Sequence, residues 1–397
     1  MKNSSLTLYL EINNHNFIFM VVESDEQNNF KIIYKLELPL KGIDGSKITD
    51  LKEVSDVIER NIYTIEQKLN CTFKEIVLIL ENFNPTFINL SGYKKLNGSQ
   101  ILRENITYIL NTLKSFIDEN ESKKKILNIV NSKFFLDDKK VDNLPIGLFG
   151  NFYSHELSFT LINLNDYKNL RSVFDKINLK IKKILIKSFI NGVNISNYNK
   201  KIDNFFHIKI NENNTSIVYF ENNSLKHQQH FNFGTNIILK DISKITALSI
   251  DEIKIILNKI ELSDNISEDE LIEKNFFKNK IYKKIKKKLI YEIILARIKE
   301  ILEIILLKNI NFAYYNKVSN NIFLEIDDKL QLKCIKEIYK KNFLIKKFYN
   351  IDFVNFSDES ILNTANKLVH YGWKNEAIPI SQSKKTRIER FFEAIFG

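Results

Sequence analysis

The last residues of the chain, 381–397, combine side chains that suit contact with a lipid bilayer. Large apolar residues recur at helical spacing, in the order i, i+3, i+4, i+7, i+8: Ile388, Phe391, Phe392, Ile395 and Phe396. Against two acidic residues in the same stretch stand four basic ones: Lys384, Lys385, Arg387 and Arg390. An apolar face beside a net basic side suits an anionic membrane surface, so these residues form the predicted membrane-binding set.

The alternative for this tail is a final helix that packs on its own domain. Two features favour the membrane interpretation. Pro379 and the polar residues Ser381, Gln382 and Ser383 separate the helix from the rest of the chain as a tether would. Three phenylalanines in one short helix also exceed what an exposed surface usually carries.

Two other clusters of reactive side chains carry less weight. His227 and His230 could suggest a metal pair, but an i, i+3 pair on a strand points to opposite faces, and we expect no metal site. The lysine run at 283–288 would suit nucleic acid. The interleaved Ile285 and Leu289 instead predict that these lysines form the solvated side of a long helix.

Composition describes a globular chain whose net charge is a weak guide to its partner. The 397 residues are 44% hydrophobic, which is enough for two or three domains with real cores. The net charge of +11 would suggest nucleic acid or an acidic membrane. However, the chain is also rich in Asn, Ile, Phe and Tyr and has only 10 Gly and 4 Pro, as expected of a gene drifting toward A/T-rich codons. The location of charge therefore matters more than its sum.

Targeting and redox signals are weak. The sequence has no uninterrupted apolar run of about 18 residues, and its first residues lack the pattern of a signal peptide. Cys71 and Cys334 are single and far apart, so they predict neither a disulfide framework nor a zinc site. We expect a cytoplasmic protein.

The first half of the chain predicts a meander followed by a helix and a buried strand, in the order βββαβ. The meander strands are Leu6–Ile12, Phe17–Val22 and Phe30–Leu38. Asp50 caps a predicted helix to Asn70, and Glu75–Leu80 is the buried strand. A separate subdomain follows, with a helix at Arg103–Phe116 and strands at Ile126–Phe135 and His155–Ile162. A helix at Asp166–Leu179 and a strand at Ile181–Ile186 return to the first unit.

The second half repeats the opening meander at Phe205–Ile210, Ser216–Phe220 and Leu225–Phe231, which indicates a duplicated architecture. A helical region from Ile237 to Leu307 follows, with helices at Ile250–Asn258 and Lys283–Leu307. The remaining predicted elements alternate strand and helix: Asn321–Ile326, Lys329–Lys341, Phe353–Phe356 and Asp358–Tyr371. The predicted fold class is mixed α/β.

Three short motifs carry a family resemblance. One is a hydrophobic and glycine-rich element, formed by Leu144, Pro145, Ile146, Gly147, Leu148 and Gly150. The second follows the repeated meander and comprises Phe233, Gly234, Thr235, Asn236, Asp241 and Ile242. The third is the R-x-x-E helix within 295–301. Together with the duplicated meander and the tail, they resemble the FtsA family of bacterial cell-division proteins, within the actin-type ATPase superfamily.

The resemblance implies an actin-like two-lobe fold with an inserted SHS2-like subdomain and a carboxyl-terminal amphipathic helix. The expected divisions are 1–81 for the first lobe, 82–164 for the inserted subdomain, 165–196 for the return to the first lobe, 197–236 for the second-lobe meander, 237–310 for a helical subdomain, 311–380 for completion of the second lobe, and 381–397 for linker and membrane helix.

The loops that would bind nucleotide depart from the family. Actin-type sites need glycine-rich turns, because backbone N–H groups must approach the phosphates without side chains in the way. The first turn is instead Glu11–His15, the second Lys209–Thr215 and the third Glu325–Lys329, and none contains glycine. Asn tolerates left-handed backbone angles, so the turns are expected to survive in shape. The residues at degenerate cofactor positions are Asn13, Asn14, His15, Asn213, Thr215 and Asp327.

We therefore expect weak or absent ATP binding, no useful hydrolysis, and no catalytic residue. The resemblance implies an adaptor that links FtsZ filaments to the cytoplasmic side of the inner membrane at the division site. Implied partners are the FtsZ carboxyl-terminal peptide, bound by the helical subdomain through Arg297 and Lys287, an anionic membrane, further copies in a filament, and downstream division proteins. Nucleic acid is not expected. Two alternatives stay open: a pilus-assembly protein of the PilM kind, and a basic nucleic-acid-binding protein.

Overall fold

The computed structural model describes residues 5–24, 30–81, 83–199, 201–222, 224–262, 265–277, 282–326, 333–344, 349–370 and 372. They form two compact units. Unit 1 takes the described residues within Met1–Lys200, Glu221–Lys226 and Phe356–Gly397, and unit 2 those within Lys201–Phe220 and His227–Asn355. Among the described residues, no helix has both the length and the apolar content needed to cross a bilayer.

Unit 1 begins with the predicted meander, helix and strand. The elements are β1 (Ser5–Ile12), β2 (Asn16–Ser24), β3 (Phe30–Pro39), the short pair β4 (Ile43–Asp44) and β5 (Lys47–Ile48), α1 (Leu51–Leu69) and β6 (Glu75–Leu80). The predicted cap is confirmed, since the Asp50 side chain accepts a hydrogen bond from the Glu53 N–H at 2.9 Å. Helix α1 buries Val54, Ile58 and Ile62, which share one helical face.

The inserted subdomain and the return to the first sheet follow in order. They comprise β7 (Thr86–Lys95), α2 (Arg103–Asn120), β8 (Lys124–Leu136), β9 (Lys139–Val141), β10 (Phe152–Asn163), α3 (Leu164–Lys176), β11 (Lys180–Ile186) and α4 (Lys187–Tyr198). The first sheet has the order β11-β6-β1-β2-β3, and the inserted sheet the order β7-β10-β8-β9. Helix α2 lies against β7 at Gly92, where an added Cβ would be 2.6 Å from Ile109 Cγ2. Glycine therefore lets this helix approach the sheet closely.

Unit 2 repeats the arrangement. Its elements are β12 (Asn204–Ile210), β13 (Thr215–Glu221), β14 (Ser224–Phe231), α5 (Asn236–Thr246), α6 (Ile250–Leu257), α7 (Lys287–Leu302), α8 (Ile310–Tyr315), β15 (Asn321–Ile326), α9 (Lys333–Leu344) and β16 (Asn350–Phe353). The sheet order is β14-β13-β12-β15-β16. Each sheet thus joins a three-strand meander to two parallel strands, because β6 pairs parallel with β1 and β11, and β15 with β12 and β16. The predicted duplication and the mixed α/β class are confirmed.

The tip of the β13–β14 hairpin, Glu221–Lys226, belongs to unit 1, although the sequence assigned all of 197–236 to the second lobe. A buried ammonium group anchors it there. Lys226 Nζ donates to Glu156 Oε1 at 2.5 Å, to Ser158 Oγ at 2.9 Å, and to Ser132 Oγ. Burial opposes the ionisation of Glu156, but the attraction of Lys226 outweighs it and lowers the pKa of that carboxyl. The partners of Lys226 are far away in sequence, so the strand pattern alone could not show this.

The last described helix, α10 (Asp358–His370), corrects another boundary. The sequence placed it with 311–380 in the second lobe, whereas it belongs to unit 1. Its Asn366 Oδ1 accepts a hydrogen bond from Tyr9 Oη at 2.7 Å, and its Ser360 Oγ accepts one from Asn194 Nδ2 at 3.2 Å. An amphipathic pattern shows that a helix buries one face, but not which sheet the face covers.

Two predicted element boundaries were also wrong. The long helix predicted at Lys283–Leu307 begins at Lys287 and continues after Leu302 as a π-helical turn, Glu303–Leu307. The final strand is Asn350–Phe353, three residues before the predicted Phe353–Phe356. The predicted inventory also lacked β7 and α4. The interior Gly92 weakens the β7 strand signal.

Candidate functional site: the carboxyl edges of the two sheets

The parallel strands of unit 1 end together, and three charged residues meet there. Ile12 of β1 and Ile186 of β11 both lie opposite Leu80 of β6. In open α/β sheets this carboxyl edge is where ligands bind. Lys187 Nζ lies 2.5 Å from Glu11 Oε1 and 3.6 Å from Glu81 Oε2.

All three groups of this centre are withdrawn from solvent. The exposed fractions of the side chains are 12% for Lys187, 4% for Glu11 and 18% for Glu81. Removing one member of a buried ion pair leaves the other charge without compensation. The ammonium of Lys187 therefore acts as the counterion of the two carboxylates. Sequence reasoning missed this centre, although each of its residues flanks the end of an apolar strand, which is a usable signal.

The turn after β1 keeps its shape without glycine. Asn13 Oδ1 accepts hydrogen bonds from the N–H groups of His15 at 2.9 Å and Asn16 at 2.8 Å. No residue of this turn has positive φ, so the side chain of Asn13, and not a left-handed backbone, forms it. Asn14 is half-buried and His15 is exposed. Two N–H groups that a phosphate loop would offer are thus used within the turn.

The carboxyl edge of unit 2 holds a second internal ion pair. Lys209 of β12 lies opposite Glu325 of β15, with Nζ 3.6 Å from Glu325 Oε1. The other carboxylate oxygen, Oε2, lies 3.1 Å from His207 Nε2. Lys209 stands where the family resemblance expects an acidic residue, and its charge is matched by Glu325. Asp327, the next predicted cofactor position, lies outside the described residues.

The turn after β12 is held by the start of α5. The N–H groups of Thr235 and Asn236 donate to the carbonyl oxygens of Asn211 and Glu212, at 3.0 and 2.9 Å. Helix N-termini are ready anion sites because their first N–H groups lack intrahelical partners. Here the chain's own carbonyl groups use two of those donors. The contact needs glycine at position 234, since an added Cβ would lie 2.1 Å from the Asn211 oxygen.

The other predicted residues of this turn are engaged in the same contact. Asn213 Oδ1 accepts a hydrogen bond from Asn236 Nδ2 at 2.8 Å, and Thr215 Oγ1 donates to the Phe233 carbonyl at 2.8 Å. Four N–H groups at the two edges are therefore bonded within the chain, where a polyphosphate needs free donors. The described residues of these edges do not fit an actin-type nucleotide site.

The predicted partner residue Arg297 joins two of the family motifs. Its Nε donates to Asp241 Oδ2 at 2.5 Å, and its Nη1 donates to Glu300. The hydrogen bond to Asp241 raises the pKa of Arg297. About a quarter of each side chain of the Arg297–Asp241 pair is exposed. This pair therefore connects α5 to α7 and leaves part of the guanidinium accessible.

The second predicted partner residue, Lys287, faces an acidic segment of the same unit. We call residues 267–271 the acidic strap. Three ion pairs join it to the start of α7: Glu268–Lys288 at 2.6 Å, Asp269–Lys286 at 3.1 Å and Glu270–Lys287 at 2.5 Å. The lysine run was predicted to be the solvated side of a helix. That prediction was wrong for this part, because the residues before Lys287 do not form helix and Lys286, Lys287 and Lys288 pair with the strap.

The predicted membrane-binding residues lie outside the described residues. They are Lys384, Lys385, Arg387, Ile388, Arg390, Phe391, Phe392, Ile395 and Phe396.

Two sheets of the same order, each ending in a polar centre at its carboxyl edge, define an actin-like fold. Among solved structures, a chain of the PilM–PilN type IV pilus biogenesis complex matches with a TM-score of 0.53 and 9% identity, over 91% of this chain and 95% of that one. At this identity the likeness shows the fold alone.

Comparison with proteins of similar sequence says more about function than the structural match does. No protein-family profile matches the chain. Cell division protein FtsA of Buchnera aphidicola subsp. Schizaphis graminum is 24% identical over 99% of this chain and 97% of the relative. FtsA of Escherichia coli K12 is 18% identical over 83% of this chain and 76% of the relative. The resemblance to FtsA predicted from the sequence is thus confirmed, and it supports an actin-like protein of cell division.

Proposed function

We propose that this protein is a division adaptor that tethers FtsZ filaments to the cytoplasmic side of the inner membrane at the division site. The observation that carries the proposal is the tail pattern behind an FtsA-like body. Five large apolar side chains at helical spacing stand beside four basic ones, and similarity to FtsA extends over 99% of the chain. Self-assembly and contacts with downstream division proteins complete the proposed role.

The strength of the membrane contact follows from the free energy of burying the apolar side chains and the cost of ordering the helix. Burying five large apolar side chains yields at most about 7 to 15 kcal/mol. Ordering a short helix that is unstable in water removes much of this gain. One tail therefore binds reversibly, whereas an array of tails on one filament binds firmly through effective concentration. Assembly and membrane attachment support each other in this scheme.

The proposed adaptor works without nucleotide turnover. Lys187 neutralises carboxylates at one sheet edge, and Lys209 pairs with Glu325 at the other. The His15 and Asn16 N–H groups of the first turn bond to Asn13, and the first N–H groups of α5 bond to carbonyl groups of the second turn. These contacts support weak or absent ATP binding, so the role is binding and not catalysis.

Arg297 and Lys287 are the proposed contacts for the FtsZ carboxyl-terminal peptide. An acidic peptide gains charge-assisted hydrogen bonds and steering from a basic surface. Both side chains already have acidic partners within unit 2. The peptide would therefore exchange with these partners and not fill an empty basic groove.

Liposome co-sedimentation tests the membrane role. Phe391→Glu places a charge in the apolar face of the tail, and we expect it to abolish sedimentation with anionic liposomes, because a charged side chain is costly to bury in lipid. The matched control is Phe116→Glu at a half-exposed site on α2, which should sediment like the unmodified protein. Unchanged sedimentation of the Phe391 variant would overturn the membrane proposal.

A pilus-assembly protein of the PilM kind is the second candidate, favoured by the structural match at a TM-score of 0.53. That candidate lacks a terminal membrane helix, so it predicts no lipid binding by the tail. A nucleic-acid-binding protein would instead show steep salt-dependent binding to DNA and no lipid preference.

A further inference from the structure

The acidic strap lies along the basic start of α7 as a turn followed by a single β-bridge, and the Glu270 N–H closes the turn by donating to the Ser267 carbonyl at 3.3 Å. The Ile272 N–H donates to the Ile285 carbonyl and the Lys287 N–H to the Glu270 carbonyl, both at 2.9 Å. Leu271 and Lys286 form the bridge between these bonds. This surface therefore holds an acidic turn through main-chain hydrogen bonds and three ammonium groups.

The strap is held at both flanks and exposed between them. Ile272, which follows it, is fully buried in the core of unit 2, and Ile266, which precedes it, packs against the same core. Between them the side chains of Asp269 and Glu268 are 92% and 79% exposed. Exposed ion pairs add little net stability and weaken with salt. The exposed middle of the strap can therefore leave α7 while Ile266 and Ile272 stay in place.

We propose that the acidic strap is an internal competitor for the acidic carboxyl-terminal peptide of FtsZ. The strap covers the lysines that the peptide needs, and the peptide binds in its place, as an acidic segment along the start of α7. This inference rests on the proposed function, because it takes the FtsZ peptide as the partner of this surface. An acidic peptide fits this surface because the surface already binds the acidic side chains of the strap.

Competition by the strap would make binding depend on the number of peptides presented together. The apparent affinity for one peptide equals the affinity of the open form multiplied by the fraction of molecules in which the strap is open. A filament presents many peptides at high effective concentration, which compensates for that loss. A single FtsZ molecule gains no such compensation. The strap would therefore favour filaments over free subunits.

A charge-neutral strap tests the competition. The full-length variant Glu268→Gln/Asp269→Asn/Glu270→Gln is titrated with a fluorescein-labelled peptide of the FtsZ carboxyl-terminal sequence from the same organism. We expect at least about fivefold tighter binding than in the unmodified protein. The matched control, Glu104→Gln/Asp118→Asn/Glu119→Gln, makes the same change in net charge at exposed positions on α2 and should leave the affinity unchanged.

A reversible clamp tests the same movement within one protein. Leu271 and Lys286 are a non-hydrogen-bonded antiparallel pair, whose Cα atoms lie close enough for a disulfide. In the Cys71→Ser background, Leu271→Cys/Lys286→Cys should bind the peptide at least about fivefold more weakly when oxidised than when reduced. Both forms have the same sequence, so the loss of Lys286 and any folding defect affect them equally. The difference in affinity between them then reports only the clamp.

The outcomes separate this inference from the proposed function. Two results would overturn the competition alone, provided that the unmodified protein binds the peptide. One is equal peptide affinity for the unmodified protein and the neutral-strap variant, and the other is equal peptide affinity for the oxidised and reduced clamp. No binding by any form, with the reduced clamp and the neutral strap still folded by circular dichroism, overturns both the competition and the FtsZ contact.

Discussion

Lys187 is the residue with the largest local consequence, because two carboxylates depend on its charge. Glu11 is almost fully buried and has its Oε1 2.5 Å from the ammonium nitrogen. A dissociable cation could compensate the same carboxylates only by giving up much of its water. A lysine at the start of α4 provides the charge permanently and at fixed geometry. The two buried carboxylates at this edge are therefore balanced by a charge that belongs to the chain itself.

Replacing this ammonium should destabilise unit 1 strongly. Lys187→Met leaves Glu11 buried without its counterion, and we expect a loss of about 3 to 5 kcal/mol in the free energy of unfolding, measured in urea. Lys180→Met is the matched control, because its partner Glu75 is 3.8 Å away and its side chain is 78% exposed. That change should cost less than about 1 kcal/mol. Equal losses in the two variants would contradict the role of Lys187.

At the scale of elements, the inserted sheet contains a buried histidine that stays neutral. His155 on β10 is 1% exposed, and its Nε2 lies 2.8 Å from Asn131 Oδ1. The rings of Phe134 and Tyr153 lie beside it. Burial lowers the pKa of His155 to about 4. Because the unfolded chain binds this proton near pH 6.5 and the folded sheet does not, acid favours unfolding.

His155 should therefore reduce stability over a defined pH window. Titration of His155 leaves the free energy of unfolding unchanged above about pH 6.5. Between about pH 6.5 and about pH 4 it lowers this free energy by about 1.4 kcal/mol for each unit by which the pH falls. His155→Phe should remove that slope from the urea-unfolding free energy measured across this range. The control His230→Gln, at an exposed site on β14, should retain it. A His155 variant with the full slope would show that another group titrates.

The elements also show what the sequence could predict. Both meanders, the Asp50 cap and the loss of loop glycines depend on local patterns, and all were found from the sequence. The partners of Lys187 and Lys226 and the placement of α10 were not, because each depends on residues far apart along the chain. Glu11, Glu81 and Lys187 belong to three different strand ends, which only the parallel register brings together.

For the whole molecule, two sheet edges of similar design have been closed in different ways. In unit 1 a lysine neutralises carboxylates and an asparagine side chain forms the turn. In unit 2 a cross-strand ion pair and the start of α5 achieve the same result. Since N–H groups at both edges are bonded within the chain, we expect the proposed adaptor to depend on its tail and its surfaces for function.

Nucleotide should accordingly leave the stability of the molecule unchanged. A ligand at one hundred times its dissociation constant stabilises a folded protein by about 2.7 kcal/mol, which shifts the melting temperature by several degrees. We expect no shift with millimolar ATP and magnesium in differential scanning fluorimetry. The control is ATP without magnesium, which separates a nucleotide site from ionic-strength effects. A saturable, magnesium-dependent rise would contradict the proposal.

The covalent attachment of Lys187 has a consequence for the physiology of the cell. A bound ion or nucleotide follows the composition of the surrounding solution, so a protein that needs one responds to starvation or depletion. An ammonium group that belongs to the chain cannot be diluted or consumed. Under the proposed loss of nucleotide binding, the cell would adjust the adaptor through the number of copies it makes and the membrane area available to them, and not through its energy charge.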